Sequence, residues 1–234
     1  MGRRGAGRRA REPLAPQPVT LFRVLLLAFD TSTPAVTVAL HDGTQVLASH
    51  TVVDARRHGE LLAPGIAHVL ADARSSAADL TGVAVGVGPG PFTGLRIGLM
   101  TARAMGDALT IPVAGVCSLD VIAAAVVSAQ PFLVATDARR REVYWATYDV
   151  GGARIEGPRV ERPAVVEWRG PGYGAGALMY PDAFVDARQP EYPDAGVLAS
   201  MVATGIAVVL PADPLYLRRP DAVEPSPRRP VAAV

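Results

Sequence analysis

The chain has 234 residues, half of them hydrophobic, and its 23 basic residues, all arginine, stand against 22 acidic ones. That length supports a real core, in one large or two small domains. With no lysine in the sequence there is no phosphate-loop lysine, Schiff-base lysine or Ser–Lys dyad, and the single Cys117 allows no internal disulfide and no cysteine zinc site.

The charge is unevenly placed. Residues 1–23 carry six arginines and one acid, so the remainder has 17 arginines against 21 acids and is mildly acidic. An acidic body argues against broad nucleic-acid binding by charge alone. Residues 1–22 are basic and rich in Gly and Pro with no apolar periodicity, and are read as a disordered arm. Leu21–Phe29 is apolar enough for a signal segment, but Arg23 interrupts it and no small-x-small cleavage site follows before Asp30. The longest uncharged run, Ala195–Ala212, contains Ser200, Thr204, Gly205 and Pro211, and reads as a buried helix followed by a strand rather than a membrane span. One cysteine and no span lead to an expected cytoplasmic location.

Residues 23–130 are expected to form a first lobe. Val24–Asp30 reads as an apolar strand ending in Asp30-Thr31-Ser32-Thr33, Ala35–Leu40 as an alternating strand, His41-Asp42-Gly43 as a turn and Gln45–Val53 as a third strand. Glu60–Ala73 reads as a helix, with Pro64 implying a late start or a kink. Then comes Val83–Met105: a buried strand, the loop Gly88-Pro89-Gly90-Pro91, and a helix from about Thr93. On a wheel of about 100° per residue, Arg96, Met100, Arg103 and Asp107 share one narrow stripe while other directions are apolar or small, so two faces of this helix are expected to be covered. Ile111–Val116 reads as a strand and Leu119–Ala129 as a helix, giving the order βββαβαβα.

At Pro131 the pattern restarts. Phe132–Thr136 is a strand ending in Asp137, followed by the basic turn Arg139-Arg140-Arg141 and a partner strand, Glu142–Tyr148. Val150–Arg162 is read as turn-rich, Trp168–Met179 as a Gly-rich loop entering a short helix, and Asp194–Thr204 as a helix. Residues 131–213 are expected as a second lobe, and residues 214–234 as an exit segment and disordered tail. Two halves that each open on a strand ending in Asp suggest a duplicated architecture with a cleft between lobes.

The chemistry-bearing residues are few. Asp30, Thr31 and Ser32 at a strand end, with Asp137 in the second half, form a candidate phosphate side, although Asx and Ser/Thr turn chemistry favours a capped strand-to-hairpin turn at Asp30–Thr33 by itself. Gly88 and Gly90 can cradle an anion, but Gly94 falls one place late for a dinucleotide fingerprint. His58 and His68 stand ten apart, which fits no metal pair on one helix turn. Ser32 and Ser118 lack a nucleophile-elbow context. Arg139–Arg141 reads as a solvated turn or a contact for RNA phosphate or an acidic partner.

Taken in order, Leu25–Thr33 (LLLAFDTST), His58–Leu62 (HGELL), Gly88–Gly98 (GPGPFTGLRIG), Asp137–Tyr144 (DARRREVY) and Pro214–Arg218 (PLYLR) resemble the marker segments of the TsaB (YeaZ) family. The resemblance implies an α/β, two-lobed actin-like, sugar-kinase-like fold with duplicated mixed-sheet lobes. It implies a non-catalytic scaffold for forming threonylcarbamoyladenosine at adenosine 37 of tRNAs that read codons beginning with adenine. The implied partners are TsaD, which holds the metal and transfers the group, the ATPase TsaE, and functionally TsaC, with tRNA met through the complex and a homodimer as the alternative pairing. No intrinsic cofactor or metal is implied, only ATP or ADP at the TsaD/TsaE junction. The first two helices are the family's bundling surface, which here selects Leu61, Leu62, Ile66, Val69, Arg96, Leu99, Met100 and Arg103. Pro91 stands where the family usually has Ser. The competing readings are an ATPase or small-molecule kinase using Asp30 and Asp137 around Mg-ATP, and a peptidase, which lacks a metal pair or nucleophile.

Overall fold

In the computed structural model, which describes residues 24–218, period-two patterning builds the first sheet. Along β1 (Leu26–Asp30), Leu27 and Phe29 enter one cluster with Val36, Val38 and Leu40, while Leu26 and Ala28 enter another on the opposite face. β2 (Ala35–His41) and β3 (Val46–Val53) add antiparallel on one side. β4 (Gly82–Gly86) and β5 (Val113–Val116) add in parallel on the other, giving the order β3-β2-β1-β4-β5.

Helices cover both faces. α1 (His58–Asp72) and α2 (Phe92–Leu109) supply Leu62, Ile66, Val69, Leu95 and Leu99 to the first cluster. α1 neither starts late nor stops at Pro64, because Pro64 and Glu60, whose carbonyl loses the bond that Pro64 cannot donate, lie on the exposed side. α3 (Ser118–Ala124) is shorter than expected and lies between the sheets, where Cys117, Leu119 and Ile122 pack with Phe132, Val134 and Tyr148 of the second sheet. The Tyr148 hydroxyl donates to Asp120 at 2.9 Å, and Arg154 sits 3.3 Å from the same carboxylate. Burial pushes the Cys117 thiol up to about 12, so it is a packing residue and not a nucleophile.

The second sheet repeats the plan. β6 (Phe132–Asp137), β7 (Val143–Tyr148) and β8 (Arg154–Glu161) are antiparallel neighbours, and β9 (Gly172–Tyr173) and β10 (Ala187–Arg188) continue in parallel, in the order β10-β9-β6-β7-β8. The correspondence β1/β6, β2/β7, β3/β8, β4/β9, β5/β10 makes the molecule a two-lobed, duplicated α/β fold. β8 corrects the turn-rich reading of Val150–Arg162. It is an edge strand interrupted by Gly157-Pro158 and paired through two register shifts, so its alternation is broken. α4 (Ala175–Met179) is a single short helix against β6 and β9.

The expected second lobe, residues 131–213, also divides. α5 (Ala195–Ala203) packs back on the first sheet, where Leu198, Ala199 and Met201 meet Leu26, Ala28, Ala84 and Val116. Leu210 then bridges Gly115, and the Leu215 N–H donates to the Val87 carbonyl at 2.9 Å. The arm at 1–22 and the tail beyond 218 lie outside the described residues. Among the described residues no helix is long and apolar enough to cross a membrane.

Candidate functional site

Three features meet at the carboxyl end of β1: a sealed carboxylate, a small pocket between the lobes, and the outer face of α1 and α2.

Asp30 is 0% exposed. One carboxylate oxygen accepts the Ser32 N–H and Ser32 hydroxyl, both at 2.7 Å, and the other accepts the Ser118 hydroxyl at 2.5 Å. A side chain at Gly86 would put Cβ 1.8 Å from that second oxygen, so β4 presses directly on the carboxyl. Burial dominates its titration and raises its pKa above 3.8, against the lowering effect of the Ser118 and Ser32 hydrogen bonds.

The glycine loop seals the same corner. The Gly88 N–H donates to Ser118 Oγ at 3.1 Å, and a Cβ at Gly90 would lie 2.2 Å from the Ser32 carbonyl oxygen. Thr31 Oγ1 donates to the Gly94 carbonyl at 2.8 Å and accepts the Gly98 N–H at 3.1 Å, locking the turn into α2. Asp30, Thr31, Ser32, Gly88 and Gly90 are therefore brought together as expected, but as a closed protein-to-protein junction rather than an open phosphate cradle. A metal-bound phosphate needs free carboxylate oxygens, and those of Asp30 are occupied and buried. These residues do not fit Mg-ATP. Asp137 caps its own turn, accepting the Arg139 N–H at 2.7 Å, and its side chain is only 12% exposed. Among the described residues no group of three His, Cys, Asp or Glu is placed to hold a metal ion.

Beside this corner lies a pocket of about 200 Å³ lined by Thr33, Arg56, His58, Thr93, Gly94 and, from the second lobe, Arg139. His58 is 8% exposed and donates from Nε2 to the Thr33 carbonyl at 2.7 Å, which fixes its tautomer and ties α1 to the β1–β2 turn.

The outer face of the two helices carries a small, apolar stripe beside exposed Glu60, His68, Asp72 and Arg96. On α1, Gly59, Ala63, Ala67 and Ala71 recur every four residues and are all exposed. On α2, Met100 is 55% exposed beside exposed Ala104, and Arg96 lies over the Phe92 ring at 4.8 Å. Of the eight expected interface residues, Leu62, Ile66, Val69 and Leu99 are core instead: an amphipathic helix spends its large aliphatics on its own sheet. Leu61 is half-buried, Arg96 and Met100 are exposed, and Arg103 is taken up by the exit segment. Its Nε–H donates to the Ala212 carbonyl at 2.9 Å and its guanidinium pairs with Asp213. Tyr216 stacks on Phe92 with ring centroids 5.5 Å apart, so the exit segment grips α2 at its start and its middle. Sequence reasoning missed Ser118 as the partner of Asp30 and Tyr216 as the brace of α2. The only signal for Tyr216 was its place in the PLYLR segment.

A family model described as TsaD, tRNA N6-adenosine threonylcarbamoyltransferase, matches residues 45–208. An uncharacterized protein of Mycobacterium tuberculosis (strain ATCC 25618 / H37Rv) is 48% identical over 203 residues, covering 84% of this chain and 93% of the relative. The tRNA threonylcarbamoyladenosine biosynthesis protein TsaB of Escherichia coli K12 is 33% identical, covering 80% of this chain and 81% of its own. The solved structure of YeaZ from Pseudomonas aeruginosa superimposes with a TM-score of 0.71 at 31% identity, covering 83% of this chain and all of that one. Fold and site thus define a two-lobed, duplicated α/β protein whose first-strand carboxylate is closed off. Within that class the chain belongs to the TsaB (YeaZ) family. Membership carries the coarse function, a role in biosynthesis of threonylcarbamoyladenosine in tRNA.

Proposed function

We propose that the chain is a non-catalytic scaffold subunit that pairs with TsaD through the outer face of α1 and α2. TsaE joins the pair, TsaC supplies threonylcarbamoyl-adenylate, and TsaD transfers the group to adenosine 37 of tRNAs that read codons beginning with adenine. The observation that carries this reading is the contrast within one lobe: the Asp30 corner is sealed by Ser32 and Ser118, while the small, apolar stripe formed by Gly59, Ala63, Ala67 and Met100 lies open. Small residues every four positions let another helix approach closely, and an exposed Met adapts to its neighbour. Buried apolar area contributes about 25 cal/mol per Å², only part of which survives as affinity. The chain holds no cofactor of its own. ATP or ADP belongs to the TsaD/TsaE junction, and the setting is the cytoplasm. A second copy of the chain is the competing occupant of the face.

Co-expression of the tagged chain with TsaD of the same organism, followed by size exclusion with light scattering, tests the pairing. A complex with one copy of each is the expected result. TsaD eluting alone, with this chain retained as a stable homodimer at all mixing ratios, overturns it.

A further inference from the structure

Arg56, between β3 and α1, and Arg139, in the β6–β7 turn, come from different lobes yet line the same pocket of about 200 Å³. We propose that this mouth of the cleft, with the neighbouring Arg57, Arg140 and Arg141, is a docking site for the phosphate backbone of RNA. The inference rests on the scaffold reading, since tRNA is the substrate of the assembly named there.

Size comes first. Sites for cofactor-sized molecules run to about 300–1,000 Å³, so this pocket takes a phosphate group rather than a nucleotide. Charge comes second. Arg56 and Arg141 have no ion pair among the described residues, and Arg57 and Arg139 are each more than half exposed. The local carboxylates are committed: Asp54 accepts the Arg56 N–H, Asp137 accepts the Arg139 N–H, Glu60 pairs with Arg57, and Glu142 pairs with Arg218. In a body that is otherwise mildly acidic, the patch inverts the local sign. Backbone comes third. Arg139, Arg140 and Arg141 hold three successive left-handed conformations, with φ of 61, 56 and 63°, a run that L residues with side chains rarely adopt. A guanidinium engages phosphate through two parallel N–H donors. A lone small anion would use Arg56 and Arg139 alone, whereas successive phosphates of a strand also engage the exposed Arg141.

The test uses the chain assembled with TsaD, and fluorescently labelled unmodified tRNA read by anisotropy across a salt series. For the triple variant Arg56→Ala/Arg139→Ala/Arg141→Ala, we expect an affinity about tenfold or more weaker and a log–log salt slope smaller by about 2–3. Transferase assays with TsaC and TsaE should show KM for tRNA raised with kcat unchanged. Unchanged tRNA affinity and salt slope in the variant overturn the proposal. So does a variant that loses binding of inorganic phosphate while keeping its tRNA affinity, which identifies a small-anion pocket instead. The anisotropy readout needs no turnover, so an inactive assembly with intact Arg-dependent tRNA binding counts against the scaffold reading alone.

Discussion

Replacing Asp30 with Ala is expected to destabilise the protein by about 3–5 kcal/mol, because the Ser32 N–H and the Ser32 and Ser118 hydroxyls lose their acceptor in a dry corner and each orphaned group costs about 1–3 kcal/mol. That is a large share of the ~5–15 kcal/mol that holds a typical domain together. Asp30→Asn is the sharper probe. The amide keeps an oxygen for Ser32 and places an NH₂ toward Ser118, so its stability resembles that of the protonated acid. Burial raises the Asp30 pKa in the folded state above the 3.8 of the unfolded chain. Between those two values the folded protein binds a proton that the unfolded chain does not, so the contribution of Asp30 is fully present below 3.8 and is lost as pH rises through the folded value. The difference in unfolding free energy between wild type and Asp30→Asn, measured by urea titration at several pH values, should therefore favour wild type most at low pH and shrink as pH rises. A wild-type advantage that grows with pH instead would mean that the hydrogen bonds from Ser118 and Ser32 hold the carboxyl ionised, and that the corner is a charged site after all.

Met100→Glu acts on the opposite feature. Met100 is 55% exposed, and Met and Glu have similar helix propensity, so the isolated chain should keep its fold within about 0.5 kcal/mol. In a helical bundle with TsaD the same change carries a carboxylate into the contact and strips it of water, with only Arg96 and the already paired Arg103 beside it on the helix. The expected cost is about 3 kcal/mol, or roughly a hundredfold in Kd, read by titration calorimetry or surface plasmon resonance. Leu99→Glu, one position away, makes the contrast: Leu99 is 2% exposed in the core, so that variant should unfold rather than merely fail to pair. A Met100→Glu protein that binds TsaD with unchanged affinity moves the contact off this face.

Legibility in the sequence followed burial and range. β1, β2 and β4 were readable because apolar runs and strict alternation leave little choice, and α2 because its polar stripe is narrow. β8 was not, since an edge strand broken at Gly157-Pro158 has lost its alternation. β9 and β10, at two residues each, exist only through pairing with β6 and with each other. α5 was visible as a helix, but nothing local says that it returns to the first sheet. The same limit applied to the site. Asp30 stood out as an acid at a strand end, which reads as solvent-facing. Its burial depends on Ser118, 88 residues away, and on Gly86 pressing from the neighbouring strand. On the helices, hydrophobicity pointed to side chains that lie inside. Leu62, Ile66, Val69 and Leu99 are the residues hydrophobicity highlights, yet they serve the lobe's own core and leave Gly, Ala and Met outside.

The most direct measurement is threonylcarbamoyladenosine formation on unmodified tRNA in a mixture of TsaC, TsaD and TsaE, with this protein added or withheld, and then with this protein alone. The account predicts product only when all four proteins are present and none from this chain alone. Product formed without it would contradict the scaffold role and leave the resemblance to TsaB as one of fold.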